Sequence, residues 1–487
     1  MSNKKQNSKT ITHKETRTVV FWKIIEYTGL ILFLAVIPRS MGPEEYGNFA
    51  VVISLLAMFT LAGALGGVAI FGRFVPEYYA DDQPDRVNAL FTQLFVFRLI
   101  LTLPLMVLLY FLLMHLHPDI TAEVGLAAVL AYFFGTISMS CFQLFYGQNR
   151  MGLWLFHDSS SRLLLVILLA MYWRNFDMKN AVYSMAIIEF ILVFPALFWV
   201  RKCFDIRSAV EQLPTLAPHL KFGLTFFASN LLLMVIWRSG EVIIVSFSGD
   251  SEQVAFYNLA NSIFLAFNAL FAQIGTILLP SVNVLHTSGQ LKKKEKWLSY
   301  FLKYITVATF LVLIVISAIG EPMLAMLLGH GFSSEVTINL IIILISLLPL
   351  NLVRLGIITS VVNDKLRENF IMAFIAMISF LISAVLLVPE LGSRGAAISV
   401  VVSAVSSAAF AYRQLRLSSI TPVAEFGKIV VTGSFFVGFI VFSGFPRIET
   451  GIASLFVFIS LLLVFRIVRI SELLDMIVDK DRKDRTN

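Results

Sequence analysis

Long runs of apolar residues, separated by short polar breaks, occupy almost the whole chain. A helix needs about 20 mostly apolar residues to cross a hydrocarbon core about 30 Å thick. The first run lacks a small-residue cleavage signature, so we expect it to be retained as a span. The pattern predicts fourteen membrane-spanning helices, over residues 17–37, 45–72, 87–114, 121–146, 153–173, 180–200, 219–248, 253–283, 297–319, 333–362, 368–388, 393–412, 422–444 and 448–466.

The connections between these runs are short, and the longest covers residues 201–218. This leaves no room for an extramembrane catalytic domain. We therefore predict an all-α, polytopic membrane protein whose parts are a cytoplasmic N-terminal tail (1–16), a six-helix bundle (17–200), a cytoplasmic linker (201–218), a second six-helix bundle (219–416), two additional helices (417–470) and a cytoplasmic tail (471–487).

Composition supports a membrane protein and excludes most other classes. The chain is 58% hydrophobic and only 14% charged, with a mean hydropathy of +0.83. Soluble enzymes, nucleic-acid binders and secreted disulfide scaffolds are not built this way. With a cytoplasmic N-terminus, 25 Lys or Arg fall in inside segments and five in outside loops. This positive-inside bias predicts that both termini lie in the cytoplasm, and it agrees with an even number of spans.

Short patterns recur along the chain in the same order at offsets of 204 to 215 residues. Asn149 before span 5 matches Asn363 before span 11, and Val75-Pro76 closing span 2 matches Leu279-Pro280 closing span 8. These matches predict a duplicated six-helix unit. Because six is even, the two copies share one orientation, which implies a pseudo-two-fold axis along the membrane normal and a central cavity between the bundles.

Ten charged residues fall inside the predicted spans: Lys23, Glu26, Arg98, Asp158, Arg162, Glu189, Arg238, Glu241, Lys303 and Arg354. A charge at the bilayer centre costs about 2.5–3.5 kcal/mol on insertion scales, so such groups must face protein or a water-filled cavity. One interpretation is pairing within a helix, since Lys23–Glu26, Asp158–Arg162 and Arg238–Glu241 have the spacing of neighbours on one face.

The alternative interpretation is a cavity with a positive lining. Arginine stays ionised and grips phosphate oxygens in a bidentate manner, so the implied cargo is an anion with a phosphate or diphosphate group. The candidate cargo-binding residues are Lys23, Arg98, Arg162, Arg238 and Arg354. Carboxylates in the same cavity are candidates for coupling to a proton or sodium ion, namely Glu26, Glu189 and Glu241.

No motif for catalysis, metal binding or a cofactor accompanies these charges. The histidines lack an HExxH arrangement, and no serine nucleophile elbow is present. A membrane-bound polymerase or ligase should have a large external loop, which this chain does not have. We therefore expect a transporter without a cofactor rather than an enzyme.

Several short segments together resemble a known family. They are Arg39-Ser-Met-Gly-Pro-Glu-Glu-Tyr-Gly47, Arg73-Phe-Val-Pro-Glu77, Tyr257 with Pro280, Leu328-Gly329 and Leu391-Gly-Ser-Arg-Gly-Ala-Ala397. In this order they resemble landmarks of the bacterial polysaccharide exporters, the Wzx-type flippases of the multidrug, oligosaccharidyl-lipid and polysaccharide exporter superfamily. The resemblance covers nearly the whole chain, most clearly spans 1 to 12.

The resemblance implies two six-helix bundles that alternately open to each side of the membrane, followed by two further helices. It implies a cargo of undecaprenyl-diphosphate-linked oligosaccharide, flipped to the outer leaflet for O-antigen, capsule or exopolysaccharide assembly. A polysaccharide polymerase and a chain-length regulator are the expected partners, and no nucleic acid is expected. Arg39 and Arg73 match family landmarks at the membrane edges, where a gate or a structural cap fits equally well. A peptidoglycan-precursor (lipid II) flippase and a cation-coupled drug or metabolite antiporter of the same superfamily remain as alternatives.

Overall fold

A computed structural model describes residues 2–116, 120–171, 177–363, 365–414, 423–442 and 447–464. Arg174 and the predicted tail 471–487 lie outside the described residues. Within the described ranges the regular structure is helical, and the α-helices are α1 (Ser2–Met41), α2 (Pro43–Ala64), α3 (Gly67–Ala80), α4 (Pro84–Leu116), α5 (Ala122–Gly147), α6 (Met151–Met171), α7 (Met178–Val200), α8 (Ile206–Glu211), α9 (Leu216–Ser248), α10 (Ser251–Thr287), α11 (Leu291–Leu328), α12 (His330–Ile345), α13 (Leu347–Val362), α14 (Leu366–Leu391), α15 (Ser393–Gln414), α16 (Val423–Phe442) and α17 (Arg447–Val464).

The predicted all-α, polytopic fold is confirmed. Twelve helical segments of the described chain are long and apolar enough to cross a membrane, with α2–α3 and α12–α13 each forming one segment. Helices α6 and α16 occupy the two other predicted spans. Helix α6 carries Asp158 and Arg162, and the apolar part of α16 covers only Phe426–Phe442. The number fourteen therefore stays a prediction.

The helices form two compact units, Met1–Ala255 and Phe256–Asn487. In the first unit α1 packs on α6, α5 packs on α7, and α9 packs on α2, α3 and α4. In the second unit α14 packs on α15, and α11 packs on α12, α16 and α17. The predicted boundaries at 200 and 219 stay predictions.

Local sequence explains several helix starts in the first unit. Thr121 accepts a hydrogen bond from the Val124 backbone N–H before α5, and Asp177 accepts one from Asn180 before α7. Asp205 accepts one from Ser208 before α8. Such N-caps satisfy donors that the first helical turn leaves unpaired. Helix α2 begins at Pro43, a residue whose fixed φ angle suits the first helical position.

Two of the predicted spans contain a break. Leu65 and Gly66 adopt left-handed conformations, with φ of 47° and 69°, and separate α2 from α3. A Cβ on Gly66 would lie 2.3 Å from the Gly223 carbonyl oxygen, so the position needs glycine for both conformation and space. The second break, at Ser346 between α12 and α13, lies three residues before Pro349. Proline removes a backbone donor there, which weakens the helix at this place.

Helix α2 approaches the start of α10 closely at Gly47. A Cβ at this position would lie 1.7 Å from the Ser251 carbonyl oxygen, and the adjacent Asn48 Oδ1 accepts a 2.6 Å hydrogen bond from the Ser251 hydroxyl. The obstacle is backbone, so it cannot move aside without shifting the helix. Glycine at 47 therefore sets the distance between these two segments.

We expect Gly47→Ala to lower the free energy of unfolding in detergent by about 1–3 kcal/mol, the usual cost of overpacking. Thermal unfolding of the purified protein measures this effect. The matched control is Gly438→Ala in α16, because a Cβ there meets nothing within 4 Å. Equal melting temperatures for the two variants would contradict the packing argument.

Candidate functional site

Six titratable side chains from three helices of the first unit come together, and we refer to them as the N-terminal charge cluster. They are Lys23, Glu26, His157, Asp158, Arg162 and Glu189. Lys23 and Glu26 lie on α1, the next three on α6, and Glu189 on α7. The sequence predicted five of these six as intramembrane charges, and the structure adds His157.

The α1–α6 side of the cluster is an ion-pair network around Glu26. Its carboxylate accepts a 2.7 Å hydrogen bond from Lys23 Nζ and lies 3.8 Å from Arg162 Nη1. Two of the cations that the sequence proposed for cargo binding, Lys23 and Arg162, therefore share one carboxylate. The Lys23–Glu26 pairing predicted from the i,i+3 spacing is present, whereas the contact between Arg162 and Glu26 joins two helices.

The cluster is in contact with solvent-accessible space. The side chains of Asp158 and Arg162 are 54% and 43% exposed. Ionised groups are not stable against lipid, so accessible charges on a predicted span indicate water. The exposed charges of the cluster must therefore face water or the polar head-group region and not the hydrocarbon core.

Arg98 has a different environment. Its side chain on α4 is buried, with 2% exposure, and donates hydrogen bonds from Nη2 to the Ala64 carbonyl and from Nη1 to the Ser140 hydroxyl at 3.3 Å. Ala64 is the last residue of α2, so the guanidinium caps this helix at the left-handed break. A Cβ on Gly67 would lie 1.6 Å from Arg98 Nη2, which shows how closely the chain fits around the charge.

Arg238 and Glu241 lie one turn apart on α9. Glu241 is fully buried, Arg238 is half-buried, and Tyr46 on α2 is within electrostatic range of both. These two predicted site residues thus lie where α9 packs on α2. Arg238 and Glu241 are not part of the N-terminal charge cluster.

The second unit contains a buried arginine held by neutral groups, which we call the amide–arginine cluster: Arg354, Asn351, Asn268 and Thr309. Arg354 on α13 is 9% exposed. It donates from Nη1 to Asn351 Oδ1 at 2.5 Å and from Nη2 to Asn268 Oδ1 and to the Asn268 carbonyl. Asn351 in turn donates a 2.9 Å hydrogen bond from Nδ2 to the Thr309 hydroxyl.

These amides orient the guanidinium without cancelling its charge. Among the described residues, no carboxylate oxygen lies within 4.0 Å of Arg354. The recorded hydrogen bonds occupy three of the five N–H donors of the side chain. A guanidinium with a fixed orientation, and with no carboxylate beside it in the part of the chain that the structure describes, is a suitable partner for an oxyanion.

The two arginines that match family landmarks lie on α1 and α3. Arg39 is exposed in the last turn of α1. Arg73 on α3 is 53% exposed, has its Nε 3.6 Å from Glu77 Oε1, and lies 4.6 Å from the ring centre of Phe222 on α9. Arg73 therefore contacts both its own helix and α9, which fits a structural contact as well as a gate.

Several polar residues that contact these charged groups were not predicted from the sequence. His157, Ser138, Asn268, Asn351 and Thr309 carry no charge pattern that distinguishes them from other polar residues in apolar helices. Two signals were nevertheless present. His157 directly precedes Asp158, and Asn351 lies three residues before Arg354, a spacing that places both side chains on one helical face.

Comparison with known proteins assigns the family. The family model described as polysaccharide biosynthesis protein matches residues 19–286, more than half of the chain. The protein belongs to this family. The match extends over α1 to α10 and so includes the N-terminal charge cluster, Arg98 and Arg238. No curated protein gave a significant match to the sequence.

Solved structures with the same fold are membrane transporters and flippases. The lipid II flippase MurJ in an inward closed conformation aligns with a TM-score of 0.69 at 17% identity, over 93% of this chain and 99% of its own. A multidrug resistance MATE family transporter of the MOP superfamily in an inward-facing conformation gives 0.55 at 14% identity, over 84% and 96%. A MATE family transporter in an outward-facing conformation aligns with a TM-score of 0.53 at 17% identity, over 85% of this chain and 97% of its own. At these identities the similarity establishes the fold, and together with the twelve apolar helical segments of the described chain it supports a multi-pass membrane protein.

Proposed function

We propose that this protein is a flippase for an undecaprenyl-diphosphate-linked oligosaccharide repeat unit, which it moves from the cytoplasmic to the outer leaflet by alternating access. The product serves O-antigen, capsule or exopolysaccharide assembly. Membership of the polysaccharide biosynthesis family and the flippase fold support this class of cargo. No chemical step is required, because the lipid-linked sugar only changes leaflet.

The observation that carries the proposal is the environment of Arg354. A diphosphate brings negative charge into a region of low dielectric constant, where only an uncompensated cation can attract it strongly. Arg354 offers such a charge, and Asn268 and Asn351 hold the guanidinium in one orientation. Lys23 and Arg162 share Glu26, so we assign them a weaker, indirect contribution to cargo binding.

Arg238 and Arg98 complete the set of proposed cargo contacts from the sequence. Arg238 is half-buried and is our next candidate after Arg354. The contacts of Arg98 are those of a helix cap, and cargo could reach it only if the α2–α3 break moved. We further propose that the protein resides in the bacterial inner membrane with both termini in the cytoplasm, and that a polysaccharide polymerase and a chain-length regulator act beside it.

A lipid II flippase is the second candidate, favoured by the TM-score of 0.69 with MurJ. A cation-coupled drug antiporter is less well supported, since an arginine held by neutral amides does not attract a cationic drug. The cargoes of the two candidate flippases share the diphosphate and the polyprenyl tail and differ in the sugar.

Deletion of the gene in its own host distinguishes these functions. We expect loss of a surface polysaccharide and accumulation of its undecaprenyl-diphosphate-linked repeat unit in the inner leaflet, with normal cell-wall synthesis and unchanged drug susceptibility. Mass spectrometry of extracted lipids and surface carbohydrate staining measure both effects. Accumulation of lipid II with lysis would instead identify a peptidoglycan-precursor flippase, and increased sensitivity to cationic drugs alone would identify an antiporter.

A further inference from the structure

His157 on α6 has a carboxylate at each of its two ring nitrogens. Nδ1 lies 2.9 Å from Asp158 Oδ1, and Nε2 lies 3.0 Å from Glu189 Oε2. A neutral imidazole has one N–H and one lone pair, so it can donate to only one of them. The other carboxylate would then face a lone pair unless it carried a proton itself. Two ionised carboxylates at the two ring nitrogens therefore favour a protonated imidazole, which can donate to both of them.

The charges of the whole cluster lead to the same proton count. Around His157 lie Lys23 and Glu26 on α1, Asp158 and Arg162 on α6, and Glu189 on α7. Two fixed cations face three carboxylates, so a protonated His157 balances the cluster at three positive and three negative charges. Loss of that proton leaves one negative charge uncompensated within a predicted span, which is costly in a region of low dielectric constant.

Ser138 on α5 supplies the group that can respond to a change in protonation. Its hydroxyl oxygen lies 3.1 Å from Glu189 Oε2 and 3.0 Å from His157 Nε2. With the proton present, the hydroxyl donates to Glu189 beside the imidazolium. Without it, the same hydroxyl can turn and donate to the lone pair on Nε2. Both states of the histidine therefore find a hydrogen-bond partner from Ser138.

The site has a buried side and an accessible side. His157 is 8% exposed and packs near Phe142, with the ring centres 5.6 Å apart. Asp158, by contrast, is 54% exposed at the Nδ1 side of the ring. A proton can thus move from Nε2 to Glu189 or leave from Nδ1 through Asp158 to water. The site can hold a proton away from solvent and still exchange it.

We propose that His157 and Glu189 form a proton-binding site that couples transport to the proton gradient, with Ser138 as a positioning residue. This inference rests on the proposed flippase function. One proton binds from the outer side and is released to the cytoplasm for each repeat unit exported. Glu189, a coupling candidate from the sequence, acts together with His157, while Glu26 serves the ion pairs with Lys23 and Arg162.

The protonation state can be measured without transport. Nitrogen NMR of the purified protein with ¹⁵N-labelled histidine should show an imidazolium signal from His157 at pH 7.5, with both ring nitrogens protonated. His157→Gln should remove this signal, and His330→Gln, outside the cluster, should leave it. In Glu189→Gln the His157 imidazolium signal at this pH should be weaker than in the unaltered protein. A neutral His157 at pH 7.5 in the unaltered protein would overturn the proposed site.

The coupling is measured in proteoliposomes that contain the host's undecaprenyl-diphosphate-linked repeat unit, with a pH-sensitive dye in the lumen. We expect a pH gradient, acidic on the outer side, to accelerate export at least fivefold and to produce proton influx that depends on the cargo. Glu189→Gln should lose the response to the gradient but keep slow downhill movement of the cargo. Glu252→Gln, on the exposed start of α10, should behave like the unaltered protein.

The outcomes separate this inference from the proposed function. If the unaltered protein moves the cargo equally fast with and without a pH gradient, the coupling proposal fails and the flippase function stands. A dependence on sodium instead of protons also overturns it. If the protein moves no lipid-linked oligosaccharide, the proposed function fails, and the coupling proposal fails with it. If His157→Gln does not fold, Glu189→Gln and Ser138→Ala provide the same comparison. If Glu189→Gln slows cargo movement equally with and without the pH gradient, Glu189 has only a structural role and the coupling proposal fails.

Discussion

Replacement of Arg354 by alanine should reduce polysaccharide export by about 10- to 100-fold at equal protein level, because a hydrogen bond to a charged group contributes about 1.5–3 kcal/mol. Arg354→Lys should retain part of the activity, since it keeps the charge but loses the planar arrangement of donors. Surface polysaccharide in a complemented deletion strain measures the effect. The control is Arg394→Ala, which removes an exposed arginine of the same unit that pairs with Glu335.

A second substitution separates charge from shape at the same site. Asn268→Asp places a carboxylate beside Arg354 with almost no change in volume, so the guanidinium keeps its position while its charge is neutralised. We expect this variant to export as poorly as Arg354→Ala while remaining folded. Normal export by both variants would refute the assignment of Arg354 to cargo binding.

Replacement of Arg98 by alanine should destabilise the protein by about 3–5 kcal/mol. The change leaves a cavity in a packed interior and removes the donor from the Ala64 carbonyl at the end of α2. Thermal unfolding in detergent and the yield of monodisperse protein measure this loss. Arg207→Ala is the control, because Arg207 is 90% exposed and pairs with Glu211 one turn away on the surface of α8.

The outcome for Arg98 also distinguishes two roles for the residue. If Arg98 caps the helix, lower stability and lower export should appear together in Arg98→Ala. If it contacts cargo directly, export should fall while the melting temperature stays unchanged. The second result would contradict the structural role and restore the interpretation that the sequence suggested.

The helices could be predicted from the sequence because a single strong requirement determines them. A membrane span needs a long apolar run, and each predicted run corresponds to helical structure in the described chain. The break at Leu65 and Gly66 was not predicted, because its cause lies elsewhere in the chain. Gly223, more than 150 residues later, approaches Gly66 so closely that no side chain fits.

The site was predictable only where partners share a helix. The spacing of Lys23 and Glu26 revealed their ion pair in advance. The contact of Arg162 with Glu26 and that of Arg354 with Asn268 depend on the packing of separate helices, which spacing along the chain does not encode. Only the fold shows that Arg162 lies beside a carboxylate, whereas Arg354 lies beside neutral amides.

The uncompensated charge of Arg354 has an electrical consequence. One elementary charge that crosses a membrane potential of 100 mV does work of about 2.3 kcal/mol. Any movement of Arg354 across part of this field is therefore favoured or opposed by the voltage, whereas a balanced ion cluster is nearly indifferent to it. A diphosphate bound at Arg354 would reverse the sign of the site. The empty and the loaded protein would then respond to the membrane potential in opposite directions.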